Sequence, residues 1–144
     1  MFHSACRQQG YGDRLKPGWT PPGWAFAIIW STISGLRATA GTLIWQACGD
    51  RLFVFPLIAF IAHLSIGDTW NYVNNIECRF GLSFVLSIVG VWASVVSVTA
   101  IYFSVSEVAG WVILPSAVWL TVAMKLIGDI WVLNGKVRAR QRAT

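Results

Sequence analysis

The chain has 144 residues, of which 56% are hydrophobic and only 12% charged, with a formal net charge of +5. Soluble domains carry about a quarter charged residues. Half that share, with long uncharged apolar runs and a mean hydropathy of +0.59, argues against one large soluble core and for an integral membrane protein of a single domain. Cys6, Cys48 and Cys78 are odd in number and share no metal-ligand spacing, so no disulfide framework follows.

The first sixteen residues, MFHSACRQQGYGDRLK, have no apolar core and are not a secretory signal. The stretch Leu15 to Trp30, LKPGWTPPGWAFAIIW, then packs three tryptophans and three prolines against the start of an apolar segment. Residues 1–23 are read as a polar segment with a Trp-Pro loop, residues 24–134 as a transmembrane domain, and residues 135–144 as a basic tail. Within the domain four segments are long enough to span a bilayer as helices, which takes roughly 20 apolar residues each. They run from Trp24 to Trp45, from Leu52 to about Tyr72, from Gly81 to Val105 and from Trp111 to Leu133. Pro115 then falls near the start of the fourth span, where a missing amide costs little. The links QACGDR, NNIECRF and SEVAG are short, so consecutive helices must run antiparallel. The expected fold is an all-α integral membrane protein, an up-down bundle of four transmembrane helices.

Charge orients this bundle. Arg7, Arg14, Lys16, Arg79, Lys136, Arg138, Arg140 and Arg142 fall on the side of the Trp-Pro loop, and Arg51 on the other. By the positive-inside rule both termini face the cytoplasm, or the stroma or matrix of an organelle. The net charge is thus read as topology and attraction to anionic membrane lipid. The KVRARQR tail is not read as a nucleic-acid site.

Charged groups inside spans are costly and call for a partner or a wet cavity. At a rise of about 1.5 Å per residue, Arg37 and His63 lie roughly 18–20 Å below the loop side, Lys125 about 12–14 Å, and Asp68 and Asp129 within about 10 Å. Lys125 and Asp129 are four apart on one helix face and are expected to pair. Asp68 is the expected partner of Arg37. These groups either tune helix packing as two ion pairs or line a polar-floored pocket. His63 is either a hydrogen-bonded structural histidine or the axial ligand of a tetrapyrrole metal, as in haem or chlorophyll. Asn71, Asn74 and Asn75 suit helix capping. Ser31, Gly35 and Thr39, spaced by four, would let another helix approach closely. The hydroxyl side chains are expected to bond back to the backbone. No nucleophile elbow, metal cluster or phosphate loop is present in the sequence.

The opening stretch resembles the signature of the TspO/MBR family, the tryptophan-rich sensory and translocator proteins. Its pattern, K-P-x-W-x-P-P followed by F-x-x-x-W, appears as Lys16, Pro17, Trp19, Pro21, Pro22, Phe26 and Trp30. Trp70 matches a motif of the third family helix. Pro115, Trp119, Ala123, Leu126 and Asn134 match the last. The family Tyr and Asn positions hold Ser34, Gly67, Ser116 and Ile127, and a Phe pair is replaced by Asn74 and Asn75. The family has five helices, with the Trp-Pro loop after the first. Only 23 residues precede Trp24 here, so the resemblance implies helices two to five, with a groove where the first would stand.

The resemblance implies binding of a porphyrin, and in some members of sterols, under a loop that closes over a pocket. Trp19, Trp24, Trp30, Arg37, His63, Trp70, Trp119 and Lys125 are the ligand-binding candidates. Chlorophyll or another porphyrin, carotenoid and lipid are the candidate ligands. Two non-enzymatic functions follow. One is an accessory subunit of a larger membrane complex, photosynthetic by preference and so in a thylakoid or other organellar membrane, with neighbouring subunits filling the groove. The other is a stand-alone porphyrin-binding sensor or transporter. Porphyrin degradation is the enzymatic alternative, and the replaced pocket residues count against it.

Overall fold

The computed structural model describes residues 15–74 and 80–142 of the chain. Four long helices account for nearly all of them, and there is no strand among the described residues. Helix α1 is Gly23–Ala47 and α2 is Phe55–Tyr72. Helix α3 (residues 80–105) consists of Phe80–Val85, a π-helical stretch Leu86–Trp92 and Ala93–Val105. Helix α4 is Glu107–Arg142. The expected pieces of the third and fourth spans lie inside α3 and α4. The stretch expected as a separate tail continues α4 as helix through Arg142. Arg7, Arg14 and Arg79, and the question of a helix before Trp24, lie outside the described residues.

Local chemistry explains most of the boundaries. Pro22 is the N-cap of α1, in the extended conformation that a proline favours. The C-terminus of α1 unwinds through Gly49 and Asp50 at φ of 68° and 59°, and the Asp50 amide bonds back to the Trp45 carbonyl at 3.1 Å. That left-handed exit suits Gly and is tolerated by Asp. Helix α2 starts at Phe55 rather than Leu52 because Pro56 sits in its first turn and Val54 is extended. A single residue, Ser106, separates α3 from α4, and its hydroxyl accepts the Ala109 amide at 3.4 Å. Helix α4 therefore begins at Glu107, and Pro115 lies eight residues inside it instead of in its first turn. The proline removes one internal hydrogen bond there, a real interruption of the helix.

The helices alternate in direction and pack in a ring. Helix α4 packs extensively on both α1 and α3, and α3 also packs on α2. The side-by-side interface of α1 with α2 is the thinnest of the four. Two apolar clusters fill the centre. One joins Ala40 and Ile44 of α1, Leu57 of α2, Val98 and Tyr102 of α3, and Ala109 and Ile113 of α4. The other, nearer the Trp-Pro loop, joins Val91, Val95, Ala117 and Leu120, with Trp30, Ile66 and Trp70 packed against it. Close helix approach depends on glycine at three places, Gly90, Gly110 and Gly128, the last with a Cβ position 2.9 Å from the Phe84 ring. A Cβ on Gly110 would collide with the Phe103 ring, and one on Gly90 would lie 2.9 Å from Ile66 Cγ2.

Among the described residues, two stretches are long and apolar enough to cross a membrane: Leu82–Val105 and Glu107–Asn134. Helices α1 and α2 fall short of that composition, consistent with the polar groups they carry: Arg37, and His63 with Asp68. Hydroxyl groups behave as expected of apolar helices. Thr32, Thr39, Ser65 and Thr99 each donate to the carbonyl four residues earlier, at 2.8 to 3.0 Å.

Candidate functional site

Two polar constellations stand out in this otherwise apolar bundle. The first fastens the Trp-Pro loop to α4. Pro17 to Thr20 form a turn in which the Thr20 amide and hydroxyl both bond to the Pro17 carbonyl, at 3.0 and 2.7 Å. Trp19, third in that turn, points at α4, and its indole N–H donates to Asp129 Oδ2 at 3.1 Å. Lys125 Nζ donates to the same oxygen at 2.7 Å and stands 4.9 Å from the centre of the Trp19 ring. One turn further, Asn134 holds the backbone of Leu15 from both sides. Its Oδ1 accepts the Leu15 amide at 3.3 Å, and its Nδ2 donates to the Leu15 carbonyl at 3.0 Å. The spacing 125–129 thus yields the helix ion pair, and the fold gives it a third member from a loop 110 positions away.

The second constellation lies at the junction of the two apolar clusters and bridges three helices. Arg37 of α1 reaches His63 of α2, with Nη2 to Nε2 at 3.2 Å. His63 Nδ1 lies 2.7 Å from Ser94 Oγ of α3, and Ser94 Oγ donates in turn to the Val91 carbonyl at 3.0 Å. The guanidinium has only donors, so Nε2 is the acceptor and the ring proton resides on Nδ1. His63 is 1% exposed. Both its nitrogens are engaged, so a tetrapyrrole metal would have to take Arg37's place at Nε2. Ser94 is the residue that sequence reasoning passed over. Nothing marks it among the many serines, and its phase depends on the π-helical turns just before it.

The expected pairing of Arg37 with Asp68 is not formed. Asp68 is exposed. It stands five residues after His63, which turns it about 140° around α2 from the face that meets Arg37. Depth along a helix was close enough for pairing, and azimuth was not. Arg37 therefore has a neutral imidazole as its partner, and no carboxylate of a described residue lies within ion-pair distance of it.

The tryptophans divide by role. Trp24 is 69% exposed at the start of α1. Trp30 and Trp70 pack against the loop-side cluster, and the Trp70 indole N–H donates to the Ser83 carbonyl at 3.2 Å. Trp119 meets Phe26 edge-on at 5.9 Å and so joins α4 to α1. Its buried indole nitrogen has no partner. Of the asparagines expected to suit helix capping, Asn75 lies outside the described residues, and Asn74 makes a contact between helices. It accepts the Ser83 hydroxyl at 3.0 Å and ties α2 to α3. Ser31, Gly35 and Thr39 all face outward, and a Cβ on Gly35 would meet nothing within 4 Å.

The loop, its α4 latch and the aromatic contacts between α1 and α4 occupy the positions of the motifs quoted above. Comparison with known proteins decides what they belong to. The TspO/MBR family pattern matches residues 2–132. The chain belongs to the TspO/MBR family. Among its relatives is Protein CrtK of Rhodobacter capsulatus, 30% identical over 129 residues, covering 86% of this chain and 78% of that protein. The translocator protein of Sus scrofa is 27% identical over 135 residues, covering 92% and 79%. The tryptophan-rich protein TspO of Bacillus cereus is 25% identical over 126 residues, covering 86% and 80%. TspO/MBR proteins are helical membrane proteins, and so is this chain. Several of its relatives are named translocator protein, and that of Cereibacter sphaeroides is named tryptophan-rich sensory protein.

Proposed function

We propose that this protein is a stand-alone TspO-type membrane protein that binds a porphyrin between its helices, for sensing or transport. The observation that carries this reading is the latched loop. The Trp-Pro segment that marks the family is held on α4 by Trp19, Asp129, Lys125 and Asn134, as a cover over one end of the bundle. The names of relatives, translocator and tryptophan-rich sensory protein, favour the same role. The residues present suit a flat aromatic ligand with acidic edges. Trp30, Trp70 and Trp119 offer ring surfaces, and the buried Arg37 Nε, Ser116 Oγ and Trp119 Nε1 lack protein partners. A porphyrin would supply apolar area and hydrogen-bond acceptors there. In this reading all four helices span the bilayer, with both termini on the positively charged side.

The test is titration of the purified protein in detergent with protoporphyrin IX, followed by quenching of tryptophan fluorescence. Saturable one-site quenching, weakened by Trp19→Ala, supports the reading. Unsaturable quenching that matches empty micelles refutes it.

A second function has one observation in its favour. The outward stripe of Ser31, Gly35 and Thr39 on α1 leaves room for a foreign helix. A subunit of a larger membrane complex, photosynthetic or respiratory, would use that face. Purification in mild detergent separates the two: migration as a monomer or homodimer leaves the stand-alone protein.

A further inference from the structure

Arg37 is a cation without an anion among the described residues. Fourteen positions beyond Gly23 on a 25-residue helix, it stands near mid-membrane, where a lone charge is costly and calls for a partner or water. Among the described residues its one hydrogen-bond partner is a neutral imidazole acceptor, and its Nε is buried with none. Ser116 Oγ and Trp119 Nε1 are buried donors on α4 that also lack partners. In order along α1 and α4 all three fall from the Phe26–Trp119 ring contact to the cluster that joins Ala40 to Ile113. Unpaired buried donors in that stretch call for an acceptor. Opposite them the seam between α1 and α2 is the thinnest interface of the bundle, and Ser34, Ala38 and Ala62 along it are small and exposed.

We infer that Arg37 is the anchor for a carboxylate carried on an apolar body, admitted through the seam between α1 and α2. The chemistry selects this class. A phospholipid headgroup stays at the membrane surface, whereas a carboxylate on a long or flat apolar skeleton can reach mid-membrane depth. The guanidinium pairs with both oxygens of a carboxylate in a planar fork. His63 then acts as a positioning residue: by accepting from Nη2 it fixes the guanidinium plane, and it is itself fixed by Ser94. A tetrapyrrole propionate and a fatty acid both have this chemistry. The inference rests on the porphyrin reading only for its first probe.

The test uses the full chain in detergent and four probes: protoporphyrin IX, its dimethyl ester, the fluorescent fatty acid cis-parinaric acid and its methyl ester. The expected result is that an acid binds roughly tenfold or more tightly than its own ester, the discrimination of a charge-assisted hydrogen bond. Arg37→Gln is expected to abolish the difference by weakening the acid alone. Discrimination confined to the porphyrin pair identifies a propionate, and discrimination confined to the fatty-acid pair identifies a fatty acyl ligand. Equal binding of acids and esters by the unaltered protein overturns the inference and leaves porphyrin binding standing. Binding of no porphyrin at all refutes the proposed function, while preference for parinaric acid over its ester would still support the anchor. Arg37→Lys provides a folded control, because it keeps the charge and loses the fork. Acid preference undiminished in both Arg37 variants also overturns the assignment.

Discussion

The indole nitrogen of Trp19 and the carboxylate of Asp129 meet at 3.1 Å across 110 positions of sequence. This contact turns an ordinary helix ion pair into the fastening of a loop. Asp129 is shared: Oδ2 accepts from Lys125 along the helix and from Trp19 across to the loop. Exchanging the two charges, Lys125→Asp with Asp129→Lys, therefore separates the two roles. The helix pair survives the exchange, but Trp19 loses its acceptor at 129. We expect near-normal thermal unfolding, with faster proteolysis between residues 15 and 22 and a red-shifted tryptophan emission. Protection of the loop equal to that of the original protein would show that the Trp19 contact does not hold it.

Asn134 is the other half of the fastening. Replacing it with Leu removes two hydrogen bonds to the Leu15 backbone. Each bond is worth about 1 kcal/mol net, and their loss should appear locally before it appears globally. Amide exchange at Leu15 should accelerate several-fold, while exchange in the centres of α3 and α4 stays unchanged. Uniform acceleration throughout the bundle would mean that Asn134 serves general stability instead.

Two glycines of α1 and α4 should respond in opposite ways. Gly110→Ala places a methyl group against the Phe103 ring, which is itself braced edge-on by Trp111 at 5.3 Å. Overpacking of this kind costs about 1–3 kcal/mol, read as a lower unfolding temperature in detergent. Gly35→Ala meets open space and should be neutral or stabilising by up to about 1 kcal/mol, the helix-propensity difference. If Gly35→Leu leaves the monomer intact but removes the chain from a native complex, the subunit function gains direct support.

His63→Ala should leave Arg37 without its partner and Ser94 with the Val91 carbonyl alone. The loss of hydrogen bonds to buried groups costs about 1–3 kcal/mol each. His63→Asn, able to donate and accept at once, should recover part of that. In protein loaded with haem, the Soret maximum should be the same for the His63→Ala variant and the original, since Arg37 and Ser94 already engage both ring nitrogens. A shifted maximum would show that the histidine leaves Arg37 to bind iron.

The helix positions and the Lys125–Asp129 pair were legible because each depends on period and spacing along one helix. Pairings between helices were less so. Arg37 and Asp68 lie about two turns apart in depth, within reach of a long side chain, but the turn of α2 sends Asp68 outward and brings His63 to the arginine. The start of α4 was missed by four residues, because Glu107 reads as loop until one sees that Ser106 alone makes the corner. Nor does any residue in LSIVGVW announce a π-helix, and that stretch determines which way Ser94 faces.

The sequence by itself determined that this is an apolar helical protein with short links and a basic side, and its Trp-Pro motif pointed to a family. Those properties are local or compositional: hydropathy, period, charge and a rigid proline pattern act without reference to what packs beside them. Only the tertiary structure decided which polar groups meet. A contact between helices depends on rotation about each axis and on small shifts in register, and these are set by packing at sites such as Gly90, Gly110 and Phe103. So it was the packing of the bundle that gave Trp19 to Asp129, gave His63 to Arg37, and left the arginine without a carboxylate among the described residues.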